Sequence, residues 1–186
     1  GESLNADLVI AGIGGLVEDQ LARDAGLQLE NGIVTNELLT TSDPSISAIG
    51  DCVCFPSRSD GKMTRLESVQ NATDQARALA KTLTGQATPY QALPWFWSDV
   101  GTLQLQIAGL SAGADQLIET HNADGTLKSV YILKQGKLIA CETLNSAAEH
   151  MLSRRMIAEG FTPDFDLMAG GDAKALKLAY QKAAKG

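Results

Sequence analysis

The strongest constraint on how this chain folds is a change of hydrophobic period across two prolines, Pro89 and Pro94. Before them, from Glu67 to Leu83, small and apolar residues recur at helical spacing; after them, from Leu103 to Leu144, they alternate as strand residues do. Two kinds of packing therefore follow one another: an α/β piece to about residue 88 and an α+β domain beyond it. The 186 residues, 44% of them hydrophobic, suffice for a core in each.

In the first part, Ala6 to Ile13 (ADLVIAGI) is a short unbroken apolar run. It suits a strand covered on both faces, ending in Gly12-Ile13-Gly14-Gly15. Leu16 to Ala25 then reads as a helix stopped by Gly26. Gly32 to Thr35 is β-prone after an Asn31-Gly32 turn, and Thr41 to Ser45 is a turn built on Pro44. That turn feeds a strand at Ile46 to Ile49, halted at Gly50-Asp51. From Glu67 a helix should present Val69, Ala72, Ala76, Leu79, Ala80 and Leu83 as its apolar stripe and close at Thr84-Gly85.

In the second part, Leu103–Ile107, Leu117–Thr120, Lys128–Leu133 and Lys137–Leu144 read as strands joined by short turns, an antiparallel meander. Asn145 or Ser146 caps a helix to Ala158 with Ala147, Met151, Leu152 and Met156 inward; Gly160 ends it and Thr162-Pro163 breaks the chain. Asp172 to Lys185 is expected to be a loosely held terminal helix.

Composition removes several functions. Lysine and arginine total 15 against 22 aspartates and glutamates, a formal charge of −7, the wrong sign for a protein that tracks phosphates. No run approaches the ~20 apolar residues of a membrane span. Three cysteines and two histidines, at no zinc-like spacing, point to no metal site, and the cysteines read as reduced and structurally passive in a cytoplasmic protein.

Four places carry candidate chemistry. Gly12 and Gly14 let backbone approach a ligand, or simply make a tight strand-to-helix turn. Gly50 ends a short strand, and Asp51 there can accept sugar-like hydroxyls or cap a turn. Glu67-Ser68-Val69 opens a helix whose free N–H groups suit a carbonyl or anion, or are simply capped. Trp95-Phe96-Trp97 can seal a flat cofactor, mediate a contact or fill a domain junction.

Taken together, AIGDC, ESVQNATDQARALA and PWFWSD, in this order and with these gaps, resemble the FAD-dependent NAD(P)H:ferredoxin reductases of the putidaredoxin reductase and dioxygenase-component type. The resemblance implies Rossmann-like segments followed by a reductase C-terminal domain: residues 1–36 ending an NAD(P)H-binding domain, 37–88 closing an FAD-binding domain, and 92–186 forming the interface domain. It implies FAD and NAD(P)H as cofactors, with Asp51 on the ribityl chain and Ser68 and Val69 at the pyrimidine edge of the isoalloxazine. Glu67 would lie where nicotinamide stacks, Gly12 and Gly14 at the nicotinamide end, and Trp97 beside the flavin facing a ferredoxin-type iron–sulfur partner. Hydride passes from NAD(P)H to flavin and single electrons leave for the partner; the cofactor carries that chemistry, so no residue is nominated as catalytic.

Where relatives have a proline-asparagine pair soon after the glycines, this chain has Val17-Glu18. No G-x-G-x-x-G is present, so the expectation is the C-terminal part of such a reductase, inactive alone. A non-catalytic module for partner docking or homodimerisation, or a flavoprotein passing electrons to oxygen or a thiol, are the alternatives.

Overall fold

The computed structural model describes residues 3–184. Its first seventeen described residues form no hydrogen-bonded element, and Leu8, Val9, Ile10 and Ile13 are each more than three-quarters exposed. The strand expected at Ala6–Ile13 is thus not formed. A buried parallel strand exists only by exchanging bonds with neighbours, and none lies beside it among the described residues. The first helix, α1 (Gln20–Asp24), is correspondingly shorter than Leu16–Ala25: Leu16 and Leu21 stand in solvent and Ala22 is its only buried residue, although Gly26 ends it as expected.

Four short strands make the first sheet in the order β1 (Leu29–Glu30), β2 (Gly32–Val34), β3 (Val53–Pro56), β4 (Met63–Arg65). Only β2 and β3 run parallel. Gly32 is required where they meet: its φ is +124°, and a Cβ there would stand 2.6 Å from the Cys52 carbonyl oxygen. The strand expected at Ile46–Ile49 is replaced by one bridge, Thr40 to Ser47. Its place is taken by β3, whose Val53 and Phe55 join Leu39, Leu66 and Tyr90 in the first core.

Helix α2 (Val69–Leu83) has the expected ends, with Ser68 accepting from Asn71 N at its start and Gly85 (φ +80°) just past Thr84. Its inward face is not the expected one. Val69 and Leu83 are 67% and 74% exposed, and Ala76 and Ala80 are exposed too. Gln70, Asn71 and Gln75 are buried instead, each with one amide atom bonded to neighbouring backbone, while Gln75 Nε2 has no partner among the described residues. Gln75 Oε1 accepts from Gly50 N (2.7 Å), Asn71 Nδ2 donates to Leu66 O (3.1 Å), and Gln70 Oε1 accepts from Trp95 N (3.2 Å). Tyr90, in the segment between the two parts, donates to Asn71 Oδ1 and packs edge-on against Phe55. That segment is bonded in, not a free tether.

The second sheet is antiparallel throughout and comprises β5 (Trp95–Val100), β6 (Leu103–Gly109), β7 (Gln116–His121), β8 (Leu127–Lys134) and β9 (Lys137–Leu144). Its order is β5-β6-β9-β8-β7, so it is not a meander: β9 returns between β6 and β8. One face is covered by α3 (Ala147–Ala158), with α4 (Phe165–Ala169) and α5 (Ala173–Ala183) beyond it. Ala147 and Met151, expected inward, are exposed; Glu149, His150, Ser153 and Met156 are buried. Nor is α5 loose. Leu176 is fully buried against Met156 and Met168, a burial contributing about 1.5–3 kcal/mol, and Asp172 caps the helix by accepting from Lys174 N and Ala175 N.

Inside this domain Glu149 takes a hydroxyl bond from Tyr131 (2.5 Å) and from Ser129 (2.6 Å) on Oε1. On Oε2 it takes the Lys128 ammonium (2.8 Å) and Ser146 (3.2 Å). Burial pushes the Glu149 carboxyl up, but the bonds from Lys128, Ser129 and Tyr131 outweigh it and hold it below its usual range. Among the described residues no helix is long and apolar enough to cross a membrane, and no group of three metal-binding side chains is assembled.

Candidate functional site

The start of α2, the strand β5 and the helix α3 converge on a cleft of about 280 Å³. It is lined by Val69, Gln70, Thr73, Asp74, Trp95, Trp97 and Arg154. Trp95 and Trp97 lie two residues apart on β5 and so share a face; their rings are 5.5 Å apart, inclined by 32°. Trp97 is 44% exposed. On the opposite wall Val69 opens α2, where the first N–H groups have no intrahelical acceptor and the helix dipole is positive. Asp74 and Arg154 continue into a neighbouring hollow of about 370 Å³ between α2 and α3.

Gly50 and Asp51 reach the same helix from the other side. Gly50 has φ +86°, and its N–H is held by Gln75; a Cβ built on it would first meet Ala72, at 3.9 Å. Asp51 is exposed, and its carboxylate makes no hydrogen bond or ion pair among the described residues, while its carbonyl takes Arg65 Nη1 at 3.1 Å. Glu67 is exposed and ion-paired with Arg65. The fold therefore gathers Gly50, Asp51, Glu67, Ser68 and Val69 around the first turns of α2, and of these Val69 shares the cleft with Trp97. Gly12 and Gly14 are not brought there: they lie in the exposed N-terminal segment, with nothing within 4 Å of a Cβ at either.

Burial tunes the titratable groups around this site. His150 is pushed down to about 4, by burial and then by the Arg154 charge, so its ring is neutral at physiological pH. Burial lowers Arg154 somewhat, opposed by the field of Asp74. Tyr90 is pushed up to about 12 by burial and by Asp74, and burial takes the Cys141 thiol to about 12. Those values keep Tyr90 and Cys141 protonated near neutral pH.

The residues that periodicity missed are Gln70, Gln75, His150 and Arg154. The only signal for the first two was a run of amides on one side of α2. Nothing in the sequence connects α3 to β5.

A glycine-ended turn and a capped helix thus stand against paired indoles, with an antiparallel α+β domain behind them. The pyridine nucleotide-disulphide oxidoreductase family matches residues 1–76 and the reductase C-terminal family residues 95–179. The chain belongs to the ferredoxin reductase family, corresponding to the C-terminal portion of its members. Rhodocoxin reductase of Rhodococcus erythropolis is 43% identical over 175 residues, covering 90% of this chain and 41% of that protein. Putidaredoxin reductase of Pseudomonas putida is 41% identical over 177 residues, covering 95% and 42%. Among solved structures, a ferredoxin reductase from Rhodopseudomonas palustris superposes with a TM-score of 0.89 at 44% identity, covering 96% of this chain and 44% of that one. A covalent putidaredoxin reductase–putidaredoxin complex gives 0.88 at 39%, covering 97% and 44%. The chain thus spans about two-fifths of the length of these relatives.

Proposed function

We propose that this chain forms part of a flavoprotein oxidoreductase that carries electrons from NAD(P)H through FAD to a ferredoxin-type iron–sulfur protein. The observation that carries the reading is the facing of Val69 and Trp97 across one cleft, with the unpaired Asp51 carboxylate on the same helix's flank. These residues fit the ribityl and isoalloxazine parts of FAD. A free carboxylate accepts hydroxyls, the open N–H groups at Val69 and Gln70 suit the pyrimidine carbonyl, and an exposed indole covers a flat ring edge. When bound, FAD supplies the step from two-electron to one-electron chemistry. The chain's own share is to hold it, to exclude water with the two indoles, and to present Trp97 towards a partner. In this reading Glu67, paired with Arg65, orients a nicotinamide. Among the described residues nothing forms a cradle around Gly12 and Gly14.

The domain assignment is part of the same proposal: 1–36 to the NAD(P)H side, 37–88 to the FAD side and 92–186 to the interface. So are a cytoplasmic location, consistent with three free cysteines, and a homodimer as an alternative use of the interface domain.

The test is a chimaera in which the N-terminal part of the Pseudomonas putida putidaredoxin reductase precedes residue 1. It should bind FAD and reduce a [2Fe–2S] ferredoxin at the expense of NADH or NADPH. A folded, flavin-loaded chimaera that reduces oxygen or disulfides but no iron–sulfur protein refutes the acceptor class. One that folds and binds no flavin refutes the reading as a whole.

A further inference from the structure

Trp95 is held from α3 by two residues one helical turn apart. The Arg154 guanidinium lies 4.3 Å from the Trp95 ring centroid, and the His150 ring lies 5.9 Å away at 59°. The remaining contact of Trp95 with an aromatic ring is Trp97. Arg154 is itself fixed: Nη1 approaches Met151 Sδ at 3.7 Å, and Asp74 shares both clefts with it. His150 is 1% exposed, and neither of its ring nitrogens has a hydrogen-bond partner. A buried imidazole with no polar partner is placed there for its ring, as the packing wall that keeps Trp95 from turning away from Arg154.

We infer that Arg154, backed by His150, is a positioning residue for Trp97: it fixes the plane of Trp95, and Trp95 fixes the angle at which Trp97 enters the cleft opposite Val69. The inference rests on the proposed function only for the use made of Trp97; the clamp itself is a property of this chain. A guanidinium suits the role because it is planar and weakly hydrated, so it lies flat on an indole where an ammonium would draw water to itself. Through this clamp α3 acts on the angle of Trp97 by way of Trp95.

The chain's only two tryptophans are Trp95 and Trp97, so its indole spectrum reports on this cleft alone. Two indoles this close give a coupled near-ultraviolet circular dichroism signal that depends on their mutual angle. Arg154→Met keeps the stem and loses the plane and charge. It should abolish the coupled signal and shift the emission to the red while the far-ultraviolet spectrum stays as in the wild type. Arg154→Lys should restore only part of it. In a Trp95→Phe background, Arg154→Met should leave Trp97 emission unchanged, because the influence passes through Trp95. A coupled signal unaltered by Arg154→Met overturns the inference, as does a Trp97 emission that responds equally without Trp95. Should Arg154→Met fail to fold, Arg154→Lys carries the decision: a weakened couplet supports the clamp and an unchanged one refutes it. The spectra need neither flavin nor acceptor, so a failed electron-transfer assay leaves this result standing, and the reverse.

Discussion

Lys128→Met should destabilise the second domain far more than its surface position suggests. Glu149 is 1% exposed and takes one ammonium and three hydroxyl bonds. Removing the ammonium leaves a buried carboxylate neutralised only by hydroxyl dipoles, a loss of about 3–5 kcal/mol. Glu149→Gln should cost less, about 2 kcal/mol, because the stranded cation is not sealed in: Lys128 keeps its bond to Gly171 O and is 20% exposed. Combining the two removes both charges and should recover about 2 kcal/mol of the sum. Urea denaturation of the four proteins, read as midpoint shifts at constant slope, measures the cycle. The pair also has a pH signature. With the Glu149 carboxyl held below its ordinary value of 4.5 in the fold, its contribution is complete above that pH and disappears as the pH falls through the lowered value. A Lys128→Met cost below about 0.5 kcal/mol, or additive costs in the double variant, would refute the buried-pair reasoning.

Three further outcomes follow from the same physics. His150 falls from 6.5 to about 4 in the fold, so the stability it contributes is complete above pH 6.5 and declines towards pH 4, a loss of about 3 kcal/mol. His150→Phe should flatten that acid limb of the urea midpoint against pH while costing little at pH 7, and an unchanged limb contradicts the buried neutral imidazole. Gln75→Ala opens a cavity and orphans the Gly50 N–H, a cost of about 3 kcal/mol; amide exchange at Gly50 should accelerate, and a protected Gly50 amide in that variant would show that the bond to Gln75 is not what holds the turn. Asp51→Ala should leave the folded chain as stable as before, within about 0.5 kcal/mol by thermal melting, because its carboxylate supports nothing in the fold.

How far the sequence could be read depended on whether the deciding contact was local. The ends of α2 were legible because Ser68 and Gly85 act within one turn of themselves. The face of α2 was not, since hydropathy marks Gln70, Asn71 and Gln75 as solvent residues, and only the acceptors and donors on Gly50, Leu66 and Trp95 make their burial favourable. The same holds for Glu149 on α3, which Lys128, Ser129 and Tyr131 make tolerable from another strand. The strands of the second sheet were read from their alternation, but the insertion of β9 between β6 and β8 is a long-range choice that no turn residue encodes. Ala6–Ile13 has the composition of a strand and meets no partner strand among the described residues. Asp51, Ser68, Val69 and Trp97 are proposed from motif order, not periodicity; Arg154 belongs to none of those motifs.

The central claim is that the Gly50–Asp51 turn and the start of α2 form the ribityl and isoalloxazine side of an FAD site. It is tested most directly by the FAD dissociation constant of the chimaera, with Asp51 intact and as Asp51→Ala. Losing charge-assisted bonds to hydroxyls should weaken binding by about 2–3 kcal/mol, a rise of roughly 30- to 150-fold in Kd, with the melting temperature of the apoprotein unchanged. An Asp51→Ala protein that holds FAD as tightly as its parent would contradict the account.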